Sequence, residues 1–91
     1  MLEVVPTKQF RKEYRRMIRR GKNPAKMEYV LKKLQNEEPL EKKYRDHDLQ
    51  GDWTGYRECH IEPDWLLIYK VDKGMLILTT SRTGTHSDLF Q

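Results

Sequence analysis

The chain has 91 residues and a mass of 11.0 kDa, which suffices for one small domain but not for a second hydrophobic core. Charged residues make up 35% of it, and 18 Lys and Arg outnumber 14 Asp and Glu, giving a net charge of +4. Two Trp, five Tyr and 36% hydrophobic residues argue against disorder, and no apolar run approaches the ~20 residues of a membrane span. We therefore expect a single domain over residues 1–91 with no membrane partner.

The cysteine content and the start of the chain indicate a compartment. Cys59 is the only cysteine, so the chain forms no internal disulfide and contains no CxxC zinc motif. Met1–Pro6 has neither the basic segment nor the long apolar segment of a signal peptide. Both features favour a protein of the reducing cytoplasm.

Charge is divided unevenly along the chain. Residues 1–45 contain 14 Lys and Arg against 6 Asp and Glu, a net charge of +8, whereas residues 46–91 contain 4 against 8, a net charge of −4. All three histidines and both tryptophans lie in the second half. The first half is therefore interpreted as a docking surface for RNA, DNA or an acidic protein, and the second half as the place of any chemistry.

The first half predicts a short strand and two helices. Leu2–Val5 is β-prone, and Thr7 is a good N-cap for the helix that follows. Apolar residues at helical spacing continue to Gly21, and a second helix runs from the N-cap Asn23 to about Gln35. The short connection predicts a helical hairpin, and the narrow apolar stripes predict that both helices lie on one face of a sheet.

The second half predicts three strands. Asn36–Thr54 is polar, and the strand patterns Tyr56–Ile61, Trp65–Val71 and Met75–Ser81 follow it, separated by short turns. Their close spacing predicts an antiparallel meander, and the tail Thr83–Gln91 has room for one or two helical turns. The order β-α-α-β-β-β predicts an α+β fold in which a two-helix hairpin packs on an antiparallel sheet.

The first helix is strongly basic. Its seven cations are interrupted by one acid, Glu13, and several stand four residues apart, a spacing that destabilises a helix slightly for each like-charged pair. A solvated helix face needs fewer charges than this, so a polyanion contact is the favoured interpretation. The candidate phosphate-binding residues are Lys8, Arg11, Lys12, Arg15, Arg16, Arg19 and Arg20.

The residues able to do chemistry fall at strand ends and in loops of the second half. His60, Asp64 and Arg82 share one edge of the predicted sheet, and His47 and His86 reach it from flanking loops. Such a set suits the cleavage of RNA by its own 2′-hydroxyl, which needs a base, an acid and a cation at the phosphate, and no metal. Imidazole and carboxylate serve the first two roles, and a guanidinium serves the third.

Other interpretations of these residues stay open. Each histidine alone is more often an ordinary surface residue. In the same interpretation Arg82 simply pairs with a carboxylate, and Asp64 simply caps its turn. A three-histidine zinc site is disfavoured because spacings of 13 and 26 residues match no compact ligand motif. A non-catalytic nucleic-acid-binding module explains the basic helix but leaves the His, Asp and Arg residues unexplained.

The run Asp46–Lys70, which reads DHDLQGDWTGYRECHIEPDWLLIYK, and the later RTGTH at Arg82–His86 closely resemble the YafQ branch of the RelE toxin superfamily. This long pattern covers more than a quarter of the chain, and the first half resembles the family in layout. The resemblance implies a bacterial type II toxin with the RelE-like, microbial-RNase-like fold. It also implies an endoribonuclease that cuts mRNA in the ribosomal A site and is held inactive by an antitoxin.

The resemblance also implies functional positions. The catalytic ones are His47, His60, Asp64, Arg82 and His86. The aromatic ones, tied to substrate handling or site integrity, are Trp65 and Phe90. We expect His86 to be the general acid at the leaving 5′-oxygen and Asp64 or His60 to be the base on the 2′-hydroxyl. Arg82 is expected to stabilise the transition state, His47 to position the phosphate, and Phe90 to stack on a base.

Partners follow from the same resemblance. They are a DinJ-like antitoxin, mRNA, and the ribosome through its small-subunit rRNA, while operator DNA is bound only through the antitoxin. No cofactor and no metal are expected. A gyrase inhibitor of the ParE-like branch, which shares the fold but is not expected to need this histidine set, is the alternative within the superfamily.

Overall fold

The computed structural model describes residues 1–90, which form five strands and three α-helices. In chain order they are β1 (Glu3–Pro6), α1 (Lys8–Arg19), α2 (Pro24–Gln35), β2 (His47–Asp48), β3 (Arg57–Glu62), β4 (Trp65–Asp72), β5 (Ile77–Gly84) and α3 (His86–Phe90). Two short 3₁₀ turns, Lys42–Tyr44 and Gly51–Trp53, flank β2. The five strands form one sheet in the order β1-β5-β4-β3-β2.

The sheet contains the predicted meander but is mixed in direction. β3, β4 and β5 pair antiparallel in succession, as their short turns predict. β1 pairs in parallel with β5, with Val4 opposite Leu78, where a wholly antiparallel sheet was expected. Parallel neighbours require a long crossover connection, and here it contains both large helices. The spacing of local turns does not reveal such a pairing between residues far apart in the sequence.

Two strands differ from the sequence pattern. His47–Asp48 adds the short strand β2 to the outer edge of β3, inside the polar stretch where no strand was predicted. β5 begins at Ile77 and not at Met75, because Leu76 has a φ of 57° and the Met75 N–H bonds to the Asp72 side chain. Both features lengthen the turn. β5 also continues to Gly84, three residues beyond its predicted end.

The helices begin where their capping residues predict. The Thr7 hydroxyl accepts a hydrogen bond from the Phe10 N–H at 3.0 Å and starts α1. The Asn23 side chain accepts one from the Ala25 N–H at 2.9 Å and starts α2, which carries proline at its first position. None of the three helices described in residues 1–90 has the length and apolar character that a membrane crossing requires.

The core lies between the two long helices and one face of the sheet. α1 packs against β5, and α2 packs against β1 and β3. Alternate residues of β4 point into this layer, and each large apolar side chain buried there stabilises the fold by about 1.5–3 kcal/mol. The buried members are Leu2, Phe10, Met17, Met27, Val30, Leu34, Cys59, Ile61, Trp65, Leu67, Tyr69 and Leu78.

α1 buries one residue that its apolar pattern does not predict. Glu13, the single acid among the cations of this helix, is only 1% exposed, whereas Ile18, an apolar residue of the same helix, is exposed. The Glu13 carboxylate accepts hydrogen bonds from Arg82 and from the Thr83 N–H, both on β5. A carboxylate can be buried when it is paired and hydrogen-bonded in this way. Glu13 therefore links α1 to the strand that leads into the tail.

Candidate active site

Three histidines, His47, His60 and His86, form a cluster, with His60 next to both of the others. The ring centroid of His60 lies 6.5 Å from that of His47 and 5.7 Å from that of His86. Sheet register explains this approach. Leu66 of β4 stands opposite both His60 of β3 and Gly84 of β5, so the end of β5 delivers α3 beside β3. His47 and His86 were expected to reach the edge at His60 from flanking loops. Both lie beside His60, His47 from the short strand β2 and His86 from the first residue of α3.

His86 is held by Asp64. Its ring Nδ1 lies 2.6 Å from Asp64 Oδ1, and the same oxygen accepts the backbone N–H of His86 at 2.9 Å. The backbone hydrogen bond and then the ring hydrogen bond lower the pKa of Asp64 below its ordinary value. An ionised Asp64 makes Nδ1 the donor nitrogen and leaves Nε2 free, on a side chain that is 55% exposed.

A buried carboxylate, Glu58, lies between the other two histidines. Its Oε1 is 3.6 Å from His47 Nε2 and 3.5 Å from His60 Nε2. Both distances exceed the roughly 2.7–3.2 Å of an ordinary N–H···O hydrogen bond, so neither Nε2 is occupied by one. The His47 side chain is 49% exposed, whereas His60 is largely buried. Glu58 was not among the site residues predicted from the sequence. Its position two residues before His60 was the available signal, because such residues share one face of a strand.

The Nδ1 atoms of His47 and His60 are held by the backbone. His47 Nδ1 lies 2.6 Å from the Arg45 carbonyl oxygen, and His60 Nδ1 lies 3.3 Å from the Pro63 carbonyl oxygen. A carbonyl only accepts, so both contacts assign the proton to Nδ1. All three histidines therefore use Nδ1 for an acceptor of the protein and keep Nε2 for chemistry.

Arg82 is bound to α1 through Glu13. Its Nε lies 3.0 and 2.9 Å from the two Glu13 oxygens, and its Nη2 lies 2.6 Å from one of them. Burial acts to raise the pKa of Glu13, but these hydrogen bonds outweigh it and the pKa lies below its ordinary value. Nη1 makes no hydrogen bond among the described residues, and no hydrogen bond or ion pair joins Arg82 to a histidine within residues 1–90. Glu13 thus holds Arg82 against α1 through Nε and Nη2, while Nη1 has no partner among the described residues.

The two aromatic candidates lie in different surroundings. Trp65 is fully buried, and its Nε1 donates to the Thr83 hydroxyl at 3.0 Å. Burial excludes direct substrate contact by Trp65 in this structure, so of its two expected roles only site integrity stays a prediction. Phe90 is the last residue of α3 and is exposed, and its stacking role also stays a prediction.

The helix that carries His86 is anchored by Asp88. The Asp88 carboxylate accepts the Thr85 N–H at 2.9 Å, and the Thr85 hydroxyl accepts the Asp88 N–H at 3.1 Å, a reciprocal helix cap. Arg20, just after α1, donates to the same carboxylate at 2.7 and 3.3 Å. The hydrogen bond from Arg20 and then that from Thr85 hold the pKa of Asp88 well below its usual range. These contacts form the Arg20–Asp88 clamp.

The basic surface of α1 is mostly free of acidic partners. Of the seven cations, Arg20 is engaged by Asp88 and Arg16 is half-buried. The other five are exposed and form no ion pair within residues 1–90; we call them the α1 basic surface, and they are Lys8, Arg11, Lys12, Arg15 and Arg19. Unpaired cations in one row suit contact with a polyanion.

The single thiol of the chain, Cys59, lies in the core. Burial raises the pKa of Cys59, so this residue remains a protonated thiol in the core. Among the described residues 1–90, no group of three His, Cys, Asp or Glu side chains is arranged to hold a metal ion. The arrangement itself supports proton transfer by imidazoles, of which His86 is oriented by a carboxylate and His47 and His60 by backbone carbonyls.

Comparison with known proteins identifies relatives over nearly the whole chain. Residues 2–91 match the family described as bacterial toxin of type II toxin-antitoxin system, YafQ. The mRNA interferase toxin YafQ of Escherichia coli strain K12 is 46% identical over 84 residues, which covers 90% of this chain and 88% of that protein.

Solved structures show the same fold. The crystal structure of YafQ from E. coli strain BL21(DE3) is 39% identical, covers all of both chains and superposes with a TM-score of 0.92. The toxin chain of the crystallised E. coli DinJ–YafQ complex is 40% identical, again over all of both chains, with a TM-score of 0.90. The predicted α+β fold with the order β-α-α-β-β-β is thereby confirmed.

Proposed function

This chain belongs to the YafQ family of bacterial type II toxins, and from that premise we propose that it is a ribosome-dependent mRNA endonuclease. The observation that carries the proposal is the histidine cluster, in which each Nδ1 is held by the protein and no Nε2 has a hydrogen bond of ordinary length. Such groups donate and accept the protons that RNA cleavage by the 2′-hydroxyl requires. The E. coli relative, named an mRNA interferase, supports the same class of activity.

The proton donor is His86. The 2′-oxygen forms a bond to the adjacent phosphorus while the bond from phosphorus to the 5′-oxygen breaks, and His86 Nε2 gives its proton to that leaving oxygen. Asp64, which binds Nδ1, orients the ring and stabilises its protonated form, as carboxylates do for other catalytic histidines. The products are a 2′,3′-cyclic phosphate and a 5′-hydroxyl.

The proton acceptor is His60. Of the two candidates for the base, Asp64 already accepts two hydrogen bonds on Oδ1, whereas His60 Nε2 has no hydrogen bond. The Glu58 carboxylate lies 3.5 Å from His60 Nε2 and balances the positive charge that His60 gains with the 2′-hydroxyl proton. Glu58 acts through the two neighbouring histidines, so we assign it a positioning role.

Arg82 and His47 are the residues that stabilise negative charge on the phosphate. The phosphate gains negative charge in the transition state, and fixed donors aimed at it lower the barrier. Arg82 offers Nη1, the nitrogen that Glu13 leaves unbonded, and His47 offers Nε2. Glu13 keeps the guanidinium ordered and charged, so that little reorganisation accompanies the reaction.

The ribosome supplies binding and orientation. The α1 basic surface provides five unpaired cations for rRNA phosphates, and binding through released counterions follows from such contacts. The ribosome also presents mRNA as an oriented single strand, which removes much of the entropic barrier to cleavage. Action on the ribosome places the protein in the cytoplasm.

An antitoxin is the second partner. The E. coli relative was crystallised with DinJ, and we extend to this chain a DinJ-like antitoxin that covers the basic surface or the site. Contact with operator DNA is made only through that antitoxin.

The experiment is primer extension on an mRNA in a bacterial translation extract, with and without a block of translation. Wild type is compared with His86→Ala and with the matched control Ser87→Ala, which changes the neighbouring exposed residue. Cuts that require translation, persist in the control and vanish in His86→Ala are expected. Equal cutting of naked RNA contradicts the ribosome dependence, and intact mRNA with damaged DNA supports a gyrase-directed toxin instead.

A 2′-deoxy substitution tests the chemistry separately. A single deoxynucleotide at the cut site removes the attacking hydroxyl and leaves binding almost unchanged. Cleavage of this mRNA at that site is expected to stop. Continued cutting there rules out attack by the 2′-hydroxyl.

A further inference from the structure

A cleft of about 640 Å³ opens beside His60, between the start of α2, the 3₁₀ turn Lys42–Tyr44 and the end of β3. We propose that this cleft binds one base of the mRNA next to the scissile phosphate, stacked on Tyr29 and Tyr44. This inference rests on the proposed function and adds a substrate subsite to it. The residues that carry the argument are Lys26, Tyr29, Glu41, Lys43, Tyr44 and His60.

Two tyrosine rings form one wall of the cleft. The ring centroids of Tyr29 and Tyr44 lie 6.1 Å apart with 30° between the ring planes. Tyr29 is 43% exposed, and its hydroxyl donates to Glu41 at 2.7 Å, which fixes the ring in place. Single-stranded RNA is commonly bound by stacking of its bases on exposed aromatic rings of this kind. The pair is therefore a ready stacking platform.

The charges around the cleft suit a base bordered by phosphate. Lys26 is paired with Glu62 at 2.7 Å, and Lys33 is paired with Glu41 at 3.3 Å, so the interior carries little net charge. Lys43 differs, because its Nζ lies 5.2 Å from the Tyr44 ring centroid and it forms no ion pair among residues 1–90. The aromatic wall suits an uncharged base, and the unpaired cation of Lys43 suits the charged backbone of the same nucleotide.

The cleft lies next to the residues proposed to cleave RNA. His60 forms part of the cleft wall and also belongs to the histidine cluster, 5.7 Å from His86 by ring centroids. RNA that places its 2′-hydroxyl at His60 thus has a neighbouring nucleotide at the mouth of the cleft. The volume lies within the roughly 300–1,000 Å³ typical of small-ligand sites, which is enough for one base.

The test is site-directed photo-crosslinking in the translation extract. The mRNA carries 4-thiouridine beside a cut site that a 2′-deoxy substitution protects, and mass spectrometry locates the crosslinked peptide. Crosslinks to the segments that contain Tyr29 or Tyr44 are expected. Crosslinks confined to other segments overturn the proposal.

Cleavage of unprotected mRNA supplies the matched comparison. The double variant Tyr29→Leu/Tyr44→Leu is expected to cut about ten-fold more slowly or worse, whereas the double Phe variant, which keeps both rings, stays near wild type. Tyr14→Leu, a half-buried tyrosine on α1, controls for loss of a tyrosine elsewhere. Circular dichroism verifies that each variant is folded.

The outcomes separate the subsite from the function. If wild type neither cuts nor crosslinks, the proposed function fails and the subsite fails with it. If wild type cuts but the Leu variants cut equally well, only the subsite is wrong. If those variants cut normally and lose affinity for a purified DinJ-like antitoxin, the cleft is a protein-docking site, which also overturns the proposal.

Discussion

Asp64 and His86 meet at a single oxygen. Asp64 Oδ1 accepts both the ring Nδ1–H of His86, at 2.6 Å, and its backbone N–H, at 2.9 Å. The two residues are 22 positions apart, and the double attachment fixes the ring so that only Nε2 is free. This geometry fits the proposed role of Asp64 as the residue that orients His86, whereas the sequence left open that Asp64 acts as the base.

The first prediction separates these mechanisms. His86→Ala is expected to lower the single-turnover cleavage rate by roughly 10²–10⁴-fold, the usual contribution of a general acid, and Asp64→Asn is expected to lower it less. Because Asp64 acts through His86, adding Asp64→Asn to His86→Ala is expected to change little. A large further loss in the double variant identifies Asp64 as an independent base.

The second prediction concerns the buried carboxylate of α1. Glu13→Gln removes the charge that Arg82 and the Thr83 N–H bind, leaving buried donors poorly satisfied. The free energy of unfolding measured in urea is expected to fall by about 1–3 kcal/mol. Glu28→Gln on the exposed side of α2 is the control and should stay within about 0.5 kcal/mol of wild type. Equal effects of the two changes contradict a structural role for Glu13.

The third prediction concerns the glycine before α3. A Cβ added at Gly84 lies 2.9 Å from the Asp88 Cβ, so Gly84→Ala forces the cap of α3 to shift and His86 with it. Cleavage is expected to fall at least ten-fold. At Gly74 the nearest atom to an added Cβ is the Asp72 Oδ1 at 3.4 Å, so Gly74→Ala serves as the control. A fully active Gly84→Ala protein means that the close approach of Asp88 is not needed.

The fourth prediction is a pH dependence of the Arg20–Asp88 clamp. The pKa of Asp88 is lowered when α3 is docked, so the clamp stabilises docking fully above the ordinary carboxyl pKa of about 4 and weakens as the pH falls toward the docked value. Asp88→Asn removes this dependence. NMR signals of Phe90 and Ser87, followed during acid titration, should report undocking in wild type and a smaller response in the variant, where the Asp64 contact to His86 is the acid-sensitive attachment that stays. A dependence of the same size in Asp88→Asn assigns the transition to another group.

The fifth prediction concerns salt. Arg11→Gln/Arg15→Gln removes two exposed cations of the α1 basic surface, and each lost phosphate contact reduces the slope of log affinity against log salt by roughly 0.7–0.9. Ribosome binding is measured by sedimentation over a range of salt concentrations. Lys32→Gln, an exposed change on α2, controls for net charge. An unchanged slope in the double variant means that rRNA is bound elsewhere.

Much of the fold follows from local chemistry in the sequence. Thr7 and Asn23 cap the two helices, and the turns around Pro63 and Gly74 separate the strands of the meander. These signals act between residues that are close along the chain, so they can be interpreted without knowing the tertiary structure. For the same reason the sequence could indicate which strand ends bring His60 and Asp64 together.

The sequence by itself determined the order β-α-α-β-β-β without the short strand β2, the excess of positive charge in the first half, and the candidate residues His47, His60, Asp64, Arg82 and His86 without Glu58. Only the tertiary structure decided that β1 lies parallel to β5, that Glu13 is buried against Arg82, and that Glu58 lies between His47 and His60. Each of these depends on sheet register or on contact between distant segments. Such contacts are selected by the packing of the whole core, and that packing has no periodic signature along the chain.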